Sequence, residues 1–248
     1  MSQLVFAGNW KMNLGPTTAR TFIEGFLGRY APSADRQVWF FPPAVSLALV
    51  ADAVGRRPGL AVGAQNVYWE EAGAFTGETS VPMAAQAGAT LTLVGHSERR
   101  HVFGETDEDT GRKVRAALAG GLAPVLCVGE KLEEREAGAT VDVVLRQLEV
   151  LAGLGTALDR VTVAYEPVWA IGTGKNATPE DAAAVHATVR KRLVELGATP
   201  DAVRILYGGS VKAQNVHDLV RQDGIDGVLV GGASIKLEEW RAITTVRI

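Results

Sequence analysis

A (β/α)8 barrel, eight parallel strands inside a ring of helices, is the fold class this sequence predicts, and three observations predict it. Short β-branched apolar runs recur about eight times along the 248 residues. Capped amphipathic stretches at helical spacing lie between them. The apolar runs are near-continuous rather than alternating, which is how strands read when both faces are covered in a parallel sheet. Strand then helix, repeated about eight times over about 250 residues, is the length and period of such a barrel. An open doubly wound sheet is the alternative. It calls for GxGxxG after the first strand, and GNWKMN at 8–13 does not supply it.

Taken in order, the strands are expected at LVFAGN (4–9), QVWFFP (37–42), LAVGAQ (60–65), TLTLVGH (90–96), APVLCVG (123–129), VTVAYEP (161–167), VRILYGG (203–209) and IDGVLVGG (225–232). Two of the intervening helices carry clear start signals. Thr106 is followed by the acids Asp107, Glu108 and Asp109, which suit a first turn, with Val114 and Leu118 further on. Thr178 is a good N-cap, Pro179 suits the first helical position and Asp181 the capping position, while Val185, Val189, Leu193 and Leu196 share one face. The charged cluster EKLEEREAG (130–138) reads as a solvated helix face.

Bulk composition narrows the function. With 47% hydrophobic residues and no linker or low-complexity tract, one domain over residues 1–248 is expected. Lys and Arg total 25 against 28 Asp and Glu, net charge -3, so there is no basic field for nucleic acid or an anionic membrane. No stretch approaches the roughly 18 apolar residues of a membrane span, so a cytoplasmic protein is expected. The single cysteine, Cys127, lies inside a strand and reads as a small buried hydrophobe. His96, His101, His186 and His217 match no zinc spacing, so no metal site is expected.

Barrel enzymes build their sites at the C-terminal ends of the strands. Those ends carry Asn9 and Lys11, Gln65 and Asn66, His96, and Glu166. The seventh and eighth are followed by GGS (208–210) and GGAS (231–234), where backbone N–H groups commonly form a phosphate site. Rival motifs fail. A P-loop register would put its first glycine on Trp169 and leaves Asn176 after the lysine, and GHSER has Arg99 where a nucleophile elbow needs glycine.

Six motifs in order, GNWKMN (8–13), GAFTGE (73–78), GHSERR (95–100), AYEPVWAIGTGK (164–175), YGGSV (207–211) and GGAS (231–234), resemble the triosephosphate isomerase family essentially end to end. The resemblance implies a TIM barrel that interconverts dihydroxyacetone phosphate and glyceraldehyde 3-phosphate through an enediolate, with no metal and no cofactor. It implies Glu166 as the base at carbon, and His96, Asn9 and Lys11 as donors to the oxygen that gains charge. His96 precedes SERR, a short helical turn whose amides keep the ring neutral, with Ser97 and Glu98 supporting it. The phosphate would rest on amides of Gly172, Ser210, Gly231 and Gly232.

A lid is implied from Pro167, Val168 and Trp169 through Ala170, Ile171, Gly172, Thr173 and Gly174 to Lys175, Asn176 and Ala177, with Tyr207 and Ser210 as latch partners. Asn176 is a slight departure that bears on lid kinetics. A homodimer is implied too, the long loop at 66–78 docking Phe75 and Thr76 beside Asn9 and Lys11 of the partner. Two other readings remain: another phosphate-binding barrel, such as a sugar-phosphate epimerase or an indole-pathway enzyme, and a catalytically silent binder of phosphorylated ligands.

Overall fold

The structure is a computed structural model that describes residues 3–171 and 177–247. Its eight strands are β1 (Leu4–Asn9), β2 (Arg36–Phe41), β3 (Leu60–Ala64), β4 (Leu91–Val94), β5 (Ala123–Val128), β6 (Thr162–Tyr165), β7 (Arg204–Tyr207) and β8 (Gly227–Val230). All pair in parallel in sequence order, and β8 closes on β1 through Val5 opposite Gly227. This is the expected (β/α)8 barrel. The helices are α1 (Pro16–Leu27), α2 (Ala44–Val54), α3 (Val81–Gln86), α4 (Ser97–His101), α5 (Asp107–Ala119), α6 (Leu132–Glu136), α7 (Thr140–Leu148), α8 (Pro179–Glu195), α9 (Val216–Val220) and α10 (Leu237–Thr244).

Strand side chains alternate between faces, so each strand feeds two cores. Val5, Ala7, Trp39, Phe41, Leu91, Leu93, Val125, Cys127, Ala164, Leu206 and Leu229 fill the inner one. The intervening residues, among them Phe6, Phe40, Leu126, Val163 and Ile205, pack outward against helix residues such as Val114, Val189 and Trp240. Burial on both faces explains the continuous apolar runs. Closure uses glycine where the backbone crowds: Gly227 has φ 147°, and a Cβ there would overlap the Val5 backbone.

The caps form at the expected places. Thr106 accepts from the Asp109 amide at 3.1 Å and Asp109 returns a bond to the Thr106 N–H at 3.0 Å, a full capping box on α5. Thr178 caps α8 by accepting from Asp181 N at 3.0 Å, but the Asp181 carboxylate turns instead toward Arg135, 3.4 Å away. Among the described residues, no helix is long and apolar enough to cross a membrane.

Candidate active site

At the end of β1, Asn9 Oδ1 accepts from the Lys11 N–H at 2.9 Å. That bond helps hold Lys11 at φ 51°, a conformation costing about 1–2 kcal/mol for a residue with a Cβ. Gln65, at the end of β3, pins the other side by donating from Nε2 to Lys11 O at 2.8 Å and to Phe41 O at 2.9 Å. The strained turn is therefore fixed at both its N–H and its carbonyl, and it sends the ammonium to Glu98, 2.6 Å away.

His96 follows β4 and caps α4. The Glu98 amide donates to His96 Nδ1 at 3.2 Å, so the ring proton resides on Nε2, which lies 2.9 Å from Glu166 Oε1. The other Glu166 oxygen accepts from the Ser97 N–H at 2.9 Å. Both residues are nearly enclosed, His96 5% and Glu166 2% exposed. Burial alone raises a carboxyl pKa, but His96 and the Ser97 amide outweigh it and hold Glu166 below its ordinary value. For His96, burial is the largest single influence and opposes a charge, but the charge and hydrogen bond of Glu166, joined by the charge of Glu98, together draw the pKa up. A second proton would still have to displace the Glu98 N–H from Nδ1, so this hydrogen bonding holds the neutral ring.

Glu166 sits in a slot. Its N–H donates to Val128 O at 2.7 Å and Val168 N–H to Glu130 O at 3.0 Å, which prolongs the pairing of β5 and β6 into the following turn. A Cβ on Gly208 would lie 2.8 Å from Glu166 Cγ, and one on Gly129 would overlap the Glu166 carbonyl oxygen. Only glycine fits on either side.

Asn9, Lys11, His96 and Glu166 share a cavity of about 420 Å³ with Ile171, Ser210, Gly231 and Gly232. The eighth loop is tied to β1 by Ser234, whose hydroxyl bonds Gly231 O at 2.7 Å and Asn9 O at 3.4 Å. A Cβ on Gly231 would lie 3.1 Å from Lys11 Cε, so the lysine stem runs along that glycine. Lys212 and Lys236 also line the cavity. In the sequence they stand only as lysines shortly after GGS and GGAS, with no motif to mark them.

The expected lid divides. Val168–Ala170 form a 3-10 turn, Ala170 and Ala177 are buried and Ile171 reaches the cavity. Gly172, Thr173, Gly174, Lys175 and Asn176 lie outside the described residues, so the amide expected at Gly172 does too. Beneath the turn, one expectation needs correction: Glu130 does not belong to a solvated face. It is 0% exposed, accepting from Trp169 Nε1 at 2.8 Å and from the Tyr165 hydroxyl at 3.1 Å, with Arg135 stacked 4.4 Å from the Trp169 ring. Burial raises its pKa. Tyr207 is enclosed as well, and burial pushes its phenol up to about 12 while the Ala177 backbone acts in the opposite sense.

In the 66–78 loop, Tyr68 stacks on Trp69 at 4.1 Å and packs on Phe75 at 4.6 Å. Phe75 is nonetheless 40% exposed, and Thr76 beside it is exposed too. Cys127 is buried, and enclosure raises its thiol pKa well above the ordinary value, as a packed hydrophobe requires.

Comparison with known proteins agrees with this geometry. A family model described as Triosephosphate isomerase matches residues 4–247. The chain is 50% identical over 243 residues to a triosephosphate isomerase of Roseiflexus sp. (strain RS-1), covering 96% of this chain and 95% of that one. It is 47% identical over 246 residues to that of Acetivibrio thermocellus, with 97% of each chain covered. The figure for Aquifex aeolicus (strain VF5) is 45% over 241 residues, covering 96% of this chain and 97% of the relative. With its barrel, its strand-end constellation and a match of this extent, the chain belongs to the triosephosphate isomerase family.

Proposed function

We propose that this chain, as one catalytic domain over residues 1–248, interconverts dihydroxyacetone phosphate and D-glyceraldehyde 3-phosphate, the isomerase step of glycolysis and gluconeogenesis. The observation that carries this reading is the His96–Glu166 pair, 2.9 Å apart at the floor of a cavity shared with Asn9, Lys11 and glycine-rich loops. Carbon acids are weak, so the base must be strong and dry. Glu166 rests on Ser97 N–H and His96 Nε2, which make it a poorer base. Leaving both for the substrate removes the stabilisation of its charge, and its basicity rises as water is excluded.

In the forward sense Glu166 takes a proton from C1 of the ketone, the electron pair forms the C1–C2 double bond and charge gathers on O2. His96 Nε2–H, freed from Glu166, donates there together with Asn9 and Lys11. Glu166 returns the proton to C2, O2 takes the His96 Nε2 proton and becomes the hydroxyl, and O1 gives its own proton back to that nitrogen as it becomes the aldehyde. The phosphate is assigned to the amides of Ser210, Gly231 and Gly232, with Gly172 and the charge of Lys11. A lid over 167–177 would keep water from the enediolate, from which phosphate is otherwise expelled. An epimerase or a silent binder has no use for a buried base facing an imidazole donor.

The assembly proposed is a homodimer, each 66–78 loop entering beside Asn9 and Lys11 of the partner. Exposed Met12, Val45, Phe75, Met83, Val102 and Phe103 are apolar surface such a contact would cover. The cytoplasm is the proposed compartment, where glycolysis supplies the substrate. A coupled assay, reading dihydroxyacetone phosphate formed from glyceraldehyde 3-phosphate through a dehydrogenase, tests the function. Absence of conversion above the uncatalysed rate overturns it.

A further inference from the structure

We propose that Gln147, on α7 and outside the cavity, is a positioning residue for the base, acting through Gly129; this rests on the reading of Glu166 as that base. Gln147 lies on the buried face of α7 among Val143, Val144 and Leu148, only 3% exposed. A polar side chain there is unfavourable unless its hydrogen-bonding groups are met. Both are met by one residue: Gly129 N–H donates to Gln147 Oε1 at 2.7 Å, and Gln147 Nε2 donates to Gly129 O at 3.1 Å. The side-chain amide thus binds Gly129 as a neighbouring strand would.

The residues on either side of Gly129 are bound in the other direction. Val128 O accepts from Glu166 N–H and Glu130 O from Val168 N–H, so residues 128–130 hold the base and the first turn of the lid. Gly129 itself presses on the Glu166 backbone so closely that a Cβ would overlap the carbonyl oxygen. The opposite wall of the slot, Gly208, is fixed by its own N–H on Tyr165 O at 2.7 Å. Among the described residues, the side chain that clamps the Gly129 wall is Gln147. Where that wall stands decides where the Glu166 side chain begins, and a carbon proton transfer is sensitive to displacements of about 1 Å.

An apolar residue of equal length would fill the same space, so packing does not call for an amide. The alternative is a role in stability alone, and kinetics separates the two. Gln147→Met should lower kcat by about 10- to 100-fold while leaving KM and competitive inhibition by inorganic phosphate within about twofold, since the misplacement reaches the base and not the phosphate loops. Gln147→Glu carries the test should Gln147→Met fail to fold. A protonated carboxyl reproduces both bonds and a carboxylate only one, so its kcat relative to wild type should be restored at low pH and fall as pH rises.

A double-mutant comparison with Glu166→Gln completes the test. If Gln147 acts through Glu166, Gln147→Met should have no further effect on kcat in the Glu166→Gln background. Near-normal turnover of Glu166→Gln alone would overturn the base assignment itself. Slow turnover of Glu166→Gln, made slower by the full factor when Gln147→Met is added, would keep the base and overturn the positioning role. So would a folded Gln147→Met with wild-type kcat, or parallel losses of kcat and phosphate affinity.

Discussion

Glu166→Gln keeps the length and volume of the side chain while removing its ability to accept a proton from carbon. The amide oxygen can still accept from the Ser97 N–H, at present 2.9 Å from the carboxylate, whereas the NH2 group cannot accept from His96 Nε2 as the present oxygen does. The fold therefore loses one hydrogen bond and one buried charge, worth about 1 kcal/mol, or a melting shift of about 2–4 °C for a chain of this size. The loss in rate is much larger. General-base removal costs about 10²–10⁴-fold, about 3–5 kcal/mol of barrier. Water is a poor substitute here, because the side chain is 2% exposed and its slot is closed by Gly129 and Gly208. The dehydrogenase-coupled assay, a thermal melt by circular dichroism and inhibition by inorganic phosphate measure the three effects together. Turnover within about tenfold of wild type, below even the lower end of the general-base range, would refute the assignment. A melting shift well beyond that expected from one lost bond would make the rate a consequence of unfolding.

Three further outcomes are expected. Burial above all lowers the pKa of His186 from 6.5 to about 4, so the unfolded chain takes up this proton first, and stability is present above pH 6.5 and lost as pH falls toward 4. The difference amounts to about 3 kcal/mol; urea midpoints should fall over that window in wild type relative to His186→Leu, and parallel curves would exclude it. Light scattering should give about twice the 26.2 kDa chain mass and Thr76→Arg should shift it toward the monomer, whereas a fully active monomer at micromolar concentration would rule the dimer out. Deleting residues 171–174 should slow isomerisation and divert part of each turnover to methylglyoxal and inorganic phosphate, and an unchanged product ratio would remove the protective role of that segment.

Much of this protein was legible along the chain because its determinants are local. The continuous apolar runs became β1 through β8, since a strand covered on both faces has no polar side to show. Thr106 and Thr178 became caps, because the amides they bind lie three residues away. Asn9, His96 and Glu166 were found by their strand ends, which the barrel gathers at one rim whatever the intervening sequence. Charge and apolar periodicity, however, report which side of an element meets water, and not which distant residue meets it. Glu130 begins a charged run, yet the turn carrying Trp169, 39 positions on, folds over it and supplies its donor. Gln147 carries no motif, and its clamp exists only because α7 packs behind the end of β5. Ser97 and Glu166 stand 69 positions apart and acquire their shared hydrogen bond only when the barrel closes. Sequence spacing therefore determined the strands, the caps and the rim residues, while tertiary packing decided the resting place of the Glu166 carboxylate, because a buried carboxylate is held by whichever donors close around it.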